Sequence, residues 1–509
     1  MPPRDWLYRS ALYNLALWGP APSELKLRLA ETWPGDAKIG AALLTAPPHW
    51  TAASHRFRFL PDLAALGTPE AVAGARAWTA DWLKRCDRIE PVSWSAEALG
   101  ERLFAWVAQW DLLAAPPADE TFRRDLLMSL ARQARHLHRI VRRTPEPARL
   151  GALRGLVAAL TALGDERRLG AALQWLAEEA RIRILPDGGH VSRNPAAQLQ
   201  ALMHLIDARD ALTAGSVEMP KPLLDAIDRA APMLRFFRHG DLRLALFNGA
   251  AEGDVEAIER ALKRSEAKGR PPARAPQTGY ERLQAGKTLV LMDCGGPPPA
   301  PFDAEAHAGA LAFEMSHGKD RMIVNCGAFA GDAAGWRLAM RASAAHSTLV
   351  VADTSSAEIG ADGHFADRPN VKSQRNEQDG SQWVGASQDG YEREFGLRHE
   401  REIYLSADGD DLRGEDRLTG KGGRGFVIRF HLHPEVEASR TGDGNALLRL
   451  KGGGFWRMKA AGAVLNLAES VYLGSGSMQR SQQIVLDGHV GSGGAEVKWA
   501  LKREAKKGE

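Results

Sequence analysis

The sequence predicts an α+β chain of two domains, all-α over residues 1–268 and an antiparallel β-sandwich over residues 277–509. Through the first half, apolar residues recur at steps of three and four, the spacing of one helix face. The second half alternates short runs of β-forming residues with glycine-rich turns, a pattern typical of an antiparallel sandwich. Between them, Gly269–Pro276 (GRPPARAP) ends the helical pattern. Helices followed by strands indicate two domains rather than one mixed sheet.

Helices are predicted across the first half. In Ser95–Leu113, the residues Leu99, Leu103 and Trp106 share one face, and Ser95 stands at the N-cap position. Further helices are expected near residues 5–17, 69–85, 127–141, 148–163, 166–181, 195–213, 221–237 and 254–266. Short connectors join them, so neighbouring helices should pack as antiparallel hairpins.

Short strands are predicted through the second half. They are expected at Thr288–Met292, Met322–Val324, Thr348–Val351, Glu402–Leu405, Phe426–Leu432, Ala446–Leu450 and Ile484–Leu486. Turn clusters at Lys421–Gly425, Gly452–Gly454 and Gly491–Gly494 separate several of them.

Composition excludes several classes of protein. The 66 basic and 63 acidic residues nearly balance, and no nucleic-acid motif accompanies them, so nucleic acid is not an expected partner. Three scattered cysteines are too few for a disulfide framework. The sequence has neither an apolar run of about 18 residues, the length that spans a bilayer, nor a recognisable signal peptide. A cytoplasmic location is therefore expected by default, with the periplasm or cell envelope as the alternative.

One predicted helix has a basic face. Arg132, Arg135, His136, Arg139 and Arg142 fall on the side opposite a leucine stripe. Because arginine pairs with carboxylates and sulfates, Arg135 and Arg139 are candidate ligands for a polyanion. A solvated helix face is the alternative interpretation.

Polar residues also gather before the helix predicted at residues 195–213. The segment Asp187–Pro195 reads DGGHVSRNP, and a helix N-terminus favours an anionic ligand. The candidates at or near this N-terminus are His190, Arg193, Asn194 and Gln198. A plain loop before an Asn–Pro helix start is the alternative. Downstream, RFFRHGD adds Arg238 and His239.

The second half contributes further histidines. His346 precedes a predicted strand, His399 lies in GLRHER, and His431 and His433 alternate along RFHLHP. Two histidines at i and i+2 share one face of a strand, which suits a metal and equally suits ordinary packing.

Several of these segments resemble the heparinase II/III-like family. WRLAMRASAAHSTLVVAD resembles the segment that opens the family's β domain, usually R…HNT and a hydrophobic strand, with Ser347 in place of the asparagine. PDGGHVSRNP resembles the loop of the helical toroid that faces substrate. AHAGALAFEMSHGKDRMIVNCG and GYEREFGLRHEREIYL are similar to further β-domain segments.

The resemblance implies an incomplete (α/α) toroid fused to a β-sandwich, which cleaves uronic-acid-containing polysaccharides by β-elimination. In that reaction a neutral donor stabilises charge on the uronate carboxylate, a base removes the C5 proton and an acid protonates the leaving oxygen. The resemblance makes Asn194 the donor, aided by His190 or Arg193, and His346 a base or a ligand near it. The remaining substrate ligands would be Gln198, Arg238, Arg135 and Arg139.

One position departs from the family pattern. The family places a catalytic tyrosine downstream of the toroid loop, where this chain reads LRLALFNGAAEGD. The acid is then His239 or Tyr280, or the chemistry has been lost. The alternative function is therefore a non-catalytic protein that binds acidic glycan or assists envelope-polysaccharide assembly. A hydrolase would need two facing carboxylates, and no such pair stands out. The sequence leaves a homodimer open.

Some family members hold a zinc ion through two histidines and an acid. The matching positions here would be His346, Asp362 or Asp367, and His399. Elimination itself requires no cofactor, so such a zinc would be structural. A histidine bound to zinc cannot also serve as the free base.

Overall fold

The computed structural model describes residues 8, 10–29 and 33–504, with helices in the N-terminal part and antiparallel strands in the C-terminal part. The helices are α1 Ala11–Leu15, α2 Ala37–Thr45, α3 Leu60–Leu66, α4 Pro69–Cys86, α5 Ala96–Ala108, α6 Trp110–Ala114, α7 Glu120–Ile140, α8 Arg149–Leu163, α9 Glu166–Arg183, α10 Pro195–Ala214, α11 Lys221–Phe236, α12 Val255–Ser265, α13 Ala334–Arg341 and α14 Glu392–Phe395.

The strands begin after α12. They are β1 Arg274–Ala275, β2 Tyr280–Ala285, β3 Thr288–Asp293, β4 Phe313–His317, β5 Asp320–Val324, β6 Leu349–Val351, β7 Val371–Gln378, β8 Ser381–Gln388, β9 Leu397–Leu405, β10 Asp411–Gly420, β11 Gly425–Leu432, β12 Val436–Arg440, β13 Ala446–Leu450, β14 Phe455–Ala461, β15 Val464–Tyr472, β16 Gln479–His489 and β17 Ala495–Glu504. The predicted α+β class, a helical toroid-type half followed by a sandwich, is confirmed.

By packing, the chain forms two compact units. Of the described residues, one unit contains those up to 182 and residues 203–227, and the other contains residues 183–202 and 228–504. The loop before α10 therefore packs with the β-rich unit, although most of the helices precede it in the sequence.

The helical predictions agree with the structure at most positions. Ser95 caps α5 by accepting a hydrogen bond from the Ala98 N–H, as its position indicated. The helix expected near residues 5–17 is seen as α1, and the rest of that range lies partly outside the described residues. α2 and α3 are too short for a helical period to reveal them from sequence. No described helix has the length and apolarity needed to cross a bilayer.

Two helices of the first unit approach closely at glycines. A Cβ added to Gly155 of α8 would lie 1.9 Å from the carbonyl oxygen of Gly100 in α5. Backbone therefore contacts backbone here, and no side chain could yield to make room.

Replacing Gly155 with alanine should lower the free energy of unfolding by about 1–3 kcal/mol, the usual cost of overpacking a core. Gly170 in α9 is the matched control, because an added Cβ would meet no atom within 4 Å. Gly170→Ala should instead stabilise the helix by about 0.5–1 kcal/mol. Urea unfolding of both variants tests this contact, and equal effects would contradict it.

The β-rich unit is a sandwich of two antiparallel sheets. One has the strand order β1-β2-β3-β4-β5-β11-β16-β15, with β6 also paired to β11, and the other has the order β12-β13-β14-β17-β10-β9-β8-β7. Their inner faces share one apolar core. Phe313 of the first sheet stacks on Trp499 of the second at 5.5 Å between ring centroids.

Every predicted strand is present, but many strands were missed from sequence. β7 and β10, for example, consist largely of charged and amide residues. Their outer faces are polar, and in β7 even the inner face is only partly buried, so no apolar run marks them.

Candidate functional site

The loop before α10 is held by its own polar contacts. Asp187 accepts hydrogen bonds from the Thr278 N–H at 2.7 Å and the Thr278 hydroxyl at 2.6 Å. Gln198 is fully buried, and its amide donates to the carbonyl oxygens of Gly188 and Ala230 at 2.9 and 3.0 Å. Gln198 therefore holds this loop in place, which corrects its predicted role as a substrate ligand.

Arg193 has a structural role. Its backbone lies at φ +58°, and its guanidinium donates to the carbonyl oxygens of Thr278, Gly295, Gly296 and Gly279 and to the Asp293 carboxylate. It also lies over the Tyr280 ring at 4.9 Å. Because the side chain is buried and all these donors face protein oxygens, Arg193 cannot neutralise a substrate carboxylate. The prediction that it binds substrate is corrected.

Asn194 is the N-cap of α10. Its Oδ1 accepts hydrogen bonds from the N–H groups of Ala196 at 2.7 Å and Ala197 at 3.1 Å. Its Nδ2 donates to the Asn248 carbonyl oxygen at 2.8 Å. An amide nitrogen carries two protons, so one N–H of this half-buried side chain has no partner among the described residues. That N–H is available to an anionic ligand at the positive end of the helix.

His190 lies in the same loop as a neutral imidazole. Its Nδ1 lies 2.7 Å from the Ser192 hydroxyl. Burial, with a smaller effect of the nearby Arg183, lowers the pKa of His190 to about 3. At neutral pH His190 therefore offers a hydrogen bond but no positive charge.

The two acids proposed from sequence are both buried. His239 lies between the Glu314 carboxylate at 3.0 Å and the Ser316 hydroxyl at 2.9 Å, with no exposed side-chain surface. Burial lowers the pKa of His239. Both ring nitrogens are used inside the protein, so His239 is not placed to protonate a leaving group. Its neighbour Arg238 pairs with Glu259 rather than standing free for substrate.

Tyr280 is buried in an aromatic cluster. Its hydroxyl donates to the Arg193 carbonyl oxygen at 2.6 Å and accepts from the Asn248 amide at 2.8 Å. Its ring packs against Phe237 at 5.0 Å and Phe247 at 5.2 Å. Burial raises the pKa of Tyr280 far above its usual value. The sequence prediction that Tyr280 is the catalytic acid is therefore corrected, since its hydroxyl is committed to the loop that it supports.

His346 pairs with His307, a histidine that no sequence motif marks. His346 Nε2 lies 3.0 Å from His307 Nδ1, and His346 Nδ1 lies 2.8 Å from the Ala342 carbonyl oxygen. A carbonyl only accepts, so His346 Nδ1 carries the proton and Nε2 presents a lone pair. His307 Nδ1–H then donates to it, which leaves the lone pair on His307 Nε2. Among the described residues, no group hydrogen-bonds to that nitrogen.

Both histidines of this pair are neutral at neutral pH. Burial lowers the pKa of His346 to about 4 and that of His307 well below its usual value. Neutral imidazole is the form that can accept a proton or a hydrogen bond at His307 Nε2. The segment AHAGALAF was recognised as similar to the family, but no periodicity or spacing distinguished its histidine.

Three hydrogen bonds connect Asn194 with His346. Asn194 donates to the Asn248 carbonyl oxygen, and the backbone N–H of His307 donates to Asn248 Oδ1 at 3.3 Å. The imidazole of His307 then pairs with that of His346. Asn248, whose backbone adopts φ +51°, is the central member, since its carbonyl contacts Asn194 and its side chain contacts His307. We name Asn194, Asn248, His307 and His346 the Asn–His network.

The buried histidines predict a loss of stability on acidification. The pKa values of His346, His190 and His431 fall from 6.5 to about 4, 3 and 3, in each case mainly through burial. The unfolded chain takes up protons below pH 6.5, whereas the folded chain does not. The unfolding free energy should therefore be highest above pH 6.5 and decrease as pH falls towards 4. Urea unfolding at pH 7 and pH 5 measures this, and His346→Gln should show a shallower decrease. Equal stability at both pH values would contradict it.

Comparisons with known proteins decide the family. The heparinase II/III-like C-terminal family matches residues 267–500. FtsZ-localized protein C of Caulobacter vibrioides is 33% identical over 551 residues, covering 98% of this chain and 94% of that protein. The chain belongs to the heparinase II/III-like family.

Solved structures agree on the fold. A heparinase III crystal structure superposes with a TM-score of 0.72 at 13% identity, covering 98% of this chain and 91% of that one. A mutant of the heparan sulfate lyase HepC from Pedobacter heparinus gives a TM-score of 0.70 at 13% identity, covering 97% and 88%. At such identity these likenesses show the fold alone.

The zinc ligands expected for this heparinase II/III-like chain do not come together. His399 pairs with Asp416 at 2.7 Å, Asp367 with Arg393 at 3.2 Å, and Asp362 accepts from the His364 N–H at 3.0 Å. Across residues 8, 10–29 and 33–504, no three His, Cys, Asp or Glu side chains lie close enough to hold a metal ion. The predicted set of His346, Asp362 or Asp367, and His399 is therefore wrong.

The basic face of α7 also has another role. Arg135 donates to the carbonyl oxygens of Leu17, Gly19 and Pro20, and Arg139 donates to that of Ala16. Arg139 also lies over the Tyr13 ring at 5.1 Å. These contacts hold residues 16–20 against α7, and binding of a polyanion by Arg135 and the exposed Arg139 stays a prediction.

Proposed function

We propose that this heparinase II/III-like protein binds an acidic saccharide of the cell envelope without cleaving it, and does so where FtsZ assembles. The observation that carries the proposal is the 33% identity, over nearly all of both chains, to a protein named for its localisation with FtsZ. A cytoplasmic location stays a prediction within this proposal.

The absence of cleavage is supported by the environment of the predicted acids. Tyr280 and His239 both have their polar atoms engaged inside the protein. The window in which a tyrosine was expected, LRLALFNGAAEGD, contains none. Its polar residue Asn248 carries an amide, which cannot donate a proton to a leaving oxygen. Binding requires no such group.

Saccharide binding is supported by the polar groups that remain available. The second N–H of Asn194 lies at the N-terminus of α10, where a carboxylate is favoured. His307 Nε2 can accept a hydrogen bond from a sugar hydroxyl, since its partner His346 fixes the tautomer.

Localisation tests the FtsZ part of the proposal. A fluorescent fusion of this protein should form a band that coincides with FtsZ and disperse when FtsZ is depleted. Purified protein should also sediment with FtsZ polymers, whereas bovine serum albumin, the control protein, should stay in the supernatant. A uniform distribution in cells together with no co-sedimentation would contradict it.

A second candidate function is β-elimination, favoured by the His307–His346 pair. His307 Nε2 would take the C5 proton of a uronate, the C4–O bond would break, the C4–C5 double bond would form, and the leaving oxygen would be protonated by the histidinium or by water. The test is absorbance of the unsaturated uronate during incubation with defined oligouronates. A rise that disappears in His307→Ala would establish this function and overturn binding without cleavage.

A further inference from the structure

The outer face of the second sheet has a groove far along the chain from the Asn–His network. A cavity of about 920 Å³ lies over β8, β9, β10, β17 and β14. The strand register places one row of outward side chains across these five strands, namely Trp383, Tyr404, Arg413, Ala500 and Lys459. The row thus runs from an aromatic end to a cationic end.

The floor and the aromatic end of this groove suit a flat ligand. Trp383 and Tyr404 are half-buried neighbours with ring centroids 4.8 Å apart, and Arg413 lies over the Tyr404 ring at 5.7 Å. The small residues Ala500 and Ala461 keep the floor low beside them. A sugar ring has an apolar face of similar width, which can pack against such rings while its hydroxyls point to the rim.

The charges favour an acidic ligand. Of the described residues, six cationic and four acidic side chains line the groove. Arg413 pairs with Asp411, Arg457 with Glu504, and Lys498 with Glu415. Lys459 and Lys502 are exposed and form no ion pair within the described part of the chain. These two ammonium groups are free to bind carboxylates, and the exposed carboxylate of Glu402 can accept hydrogen bonds from hydroxyls.

The position of the groove argues against an added peptide strand. Each strand beneath it is hydrogen-bonded on both sides, because β8 lies between β7 and β9, and β14 lies between β13 and β17. A peptide that extends a sheet needs the free N–H and C=O groups of an edge strand. The ligand must be held by side chains, as a saccharide is.

We propose that this sheet face is a second binding site, which takes an acidic oligosaccharide through stacking on Trp383 and Tyr404 and ion pairs with Lys459 and Lys502. The inference is independent of the Asn–His network and of the partnership with FtsZ. It assigns to the sandwich a binding role of its own.

Calorimetric titration with a galacturonate hexamer tests this site in a background of Asn194→Ser and His307→Ala, so that the first site is silent. The hexamer should bind, and its methyl ester, which has the same length without charge, should bind roughly tenfold more weakly or worse. Trp383→Ala should weaken binding of the hexamer by a similar factor. The double variant Lys459→Glu with Lys502→Glu should weaken binding by a similar factor. It should also make the affinity for the hexamer less dependent on salt concentration.

The matched control is Lys319→Glu with Lys421→Glu, which makes the same charge change at exposed positions outside the groove. It should leave binding unchanged, and unfolding midpoints should show that every variant is folded. Unchanged binding in both groove variants would overturn the proposal. Equal binding of polyglutamate, with no effect of Trp383→Ala, would also overturn it, because the site would then recognise charge alone.

Discussion

Replacing Arg193 with alanine should lower the free energy of unfolding by about 3–5 kcal/mol, the usual cost of removing one partner of a buried ion pair. The change removes hydrogen bonds to four carbonyl oxygens and leaves the Asp293 carboxylate buried without its cation. Arg193→Lys should recover only part of the loss, because one ammonium group cannot reach all these acceptors.

The pH dependence of this variant gives a second readout. Burial already raises the pKa of Asp293, and removal of Arg193 should raise it further. When a carboxyl group has a higher pKa in the folded state, the free energy of unfolding decreases as pH rises above the pKa of that group in the unfolded chain. The defect of Arg193→Ala should therefore be larger at pH 7 than near pH 4. Adding Asp293→Ala should restore part of the stability. Arg393→Ala, at an exposed arginine, is the control and should leave the unfolding midpoint nearly unchanged.

Asn194→Ser should weaken binding of an oligouronate by about tenfold to a hundredfold, as expected for the loss of a hydrogen bond to a charged group worth about 1.5–3 kcal/mol. Serine keeps an oxygen that can cap α10 but removes the amide N–H groups. The variant also loses the hydrogen bond to the Asn248 carbonyl oxygen, so the free energy of unfolding should fall by about 0.5–1.5 kcal/mol, too little to unfold the protein under the conditions of the titration.

Asn194→Ala is the companion variant. It removes both the cap and the amide, and should add a loss of about 1 kcal/mol in unfolding free energy to the same loss of affinity. Wild-type affinity in both variants would remove Asn194 from the site.

Much of the fold could be predicted because helix periodicity is a local signal. Most helices predicted from residues 69–266 agree with the structure within a few positions, but α7 begins at Glu120 rather than near residue 127, and the helix predicted over Ser95–Leu113 is divided into α5 and α6. Strands such as β7 were missed because their polar faces lack apolar runs. Such polar segments form strands because they pair with strands that are distant in sequence. A local sequence pattern does not indicate that pairing.

The site was harder to predict because partners come from distant segments. Asn194 and His346 were found through the family resemblance, and the structure connects them through Asn248 and His307. Arg193 is predicted to bind substrate because it lies near the N-terminus of the helix at residues 195–213, in the loop that resembles the family's toroid loop. Its backbone at φ +58° instead sends the side chain to four carbonyls around residues 278–296. Nothing in the local sequence indicates that direction.

Binding of an acidic saccharide to the Asn–His network without cleavage can be measured in one experiment. A defined oligouronate is titrated into wild-type protein and into Asn194→Ser while heat and the absorbance of unsaturated uronate are both recorded. We expect saturable binding to the wild type, weaker binding to the variant and constant absorbance in both. An absorbance that rises with the wild type and not with His307→Ala, or equal binding by wild type and Asn194→Ser, would contradict it.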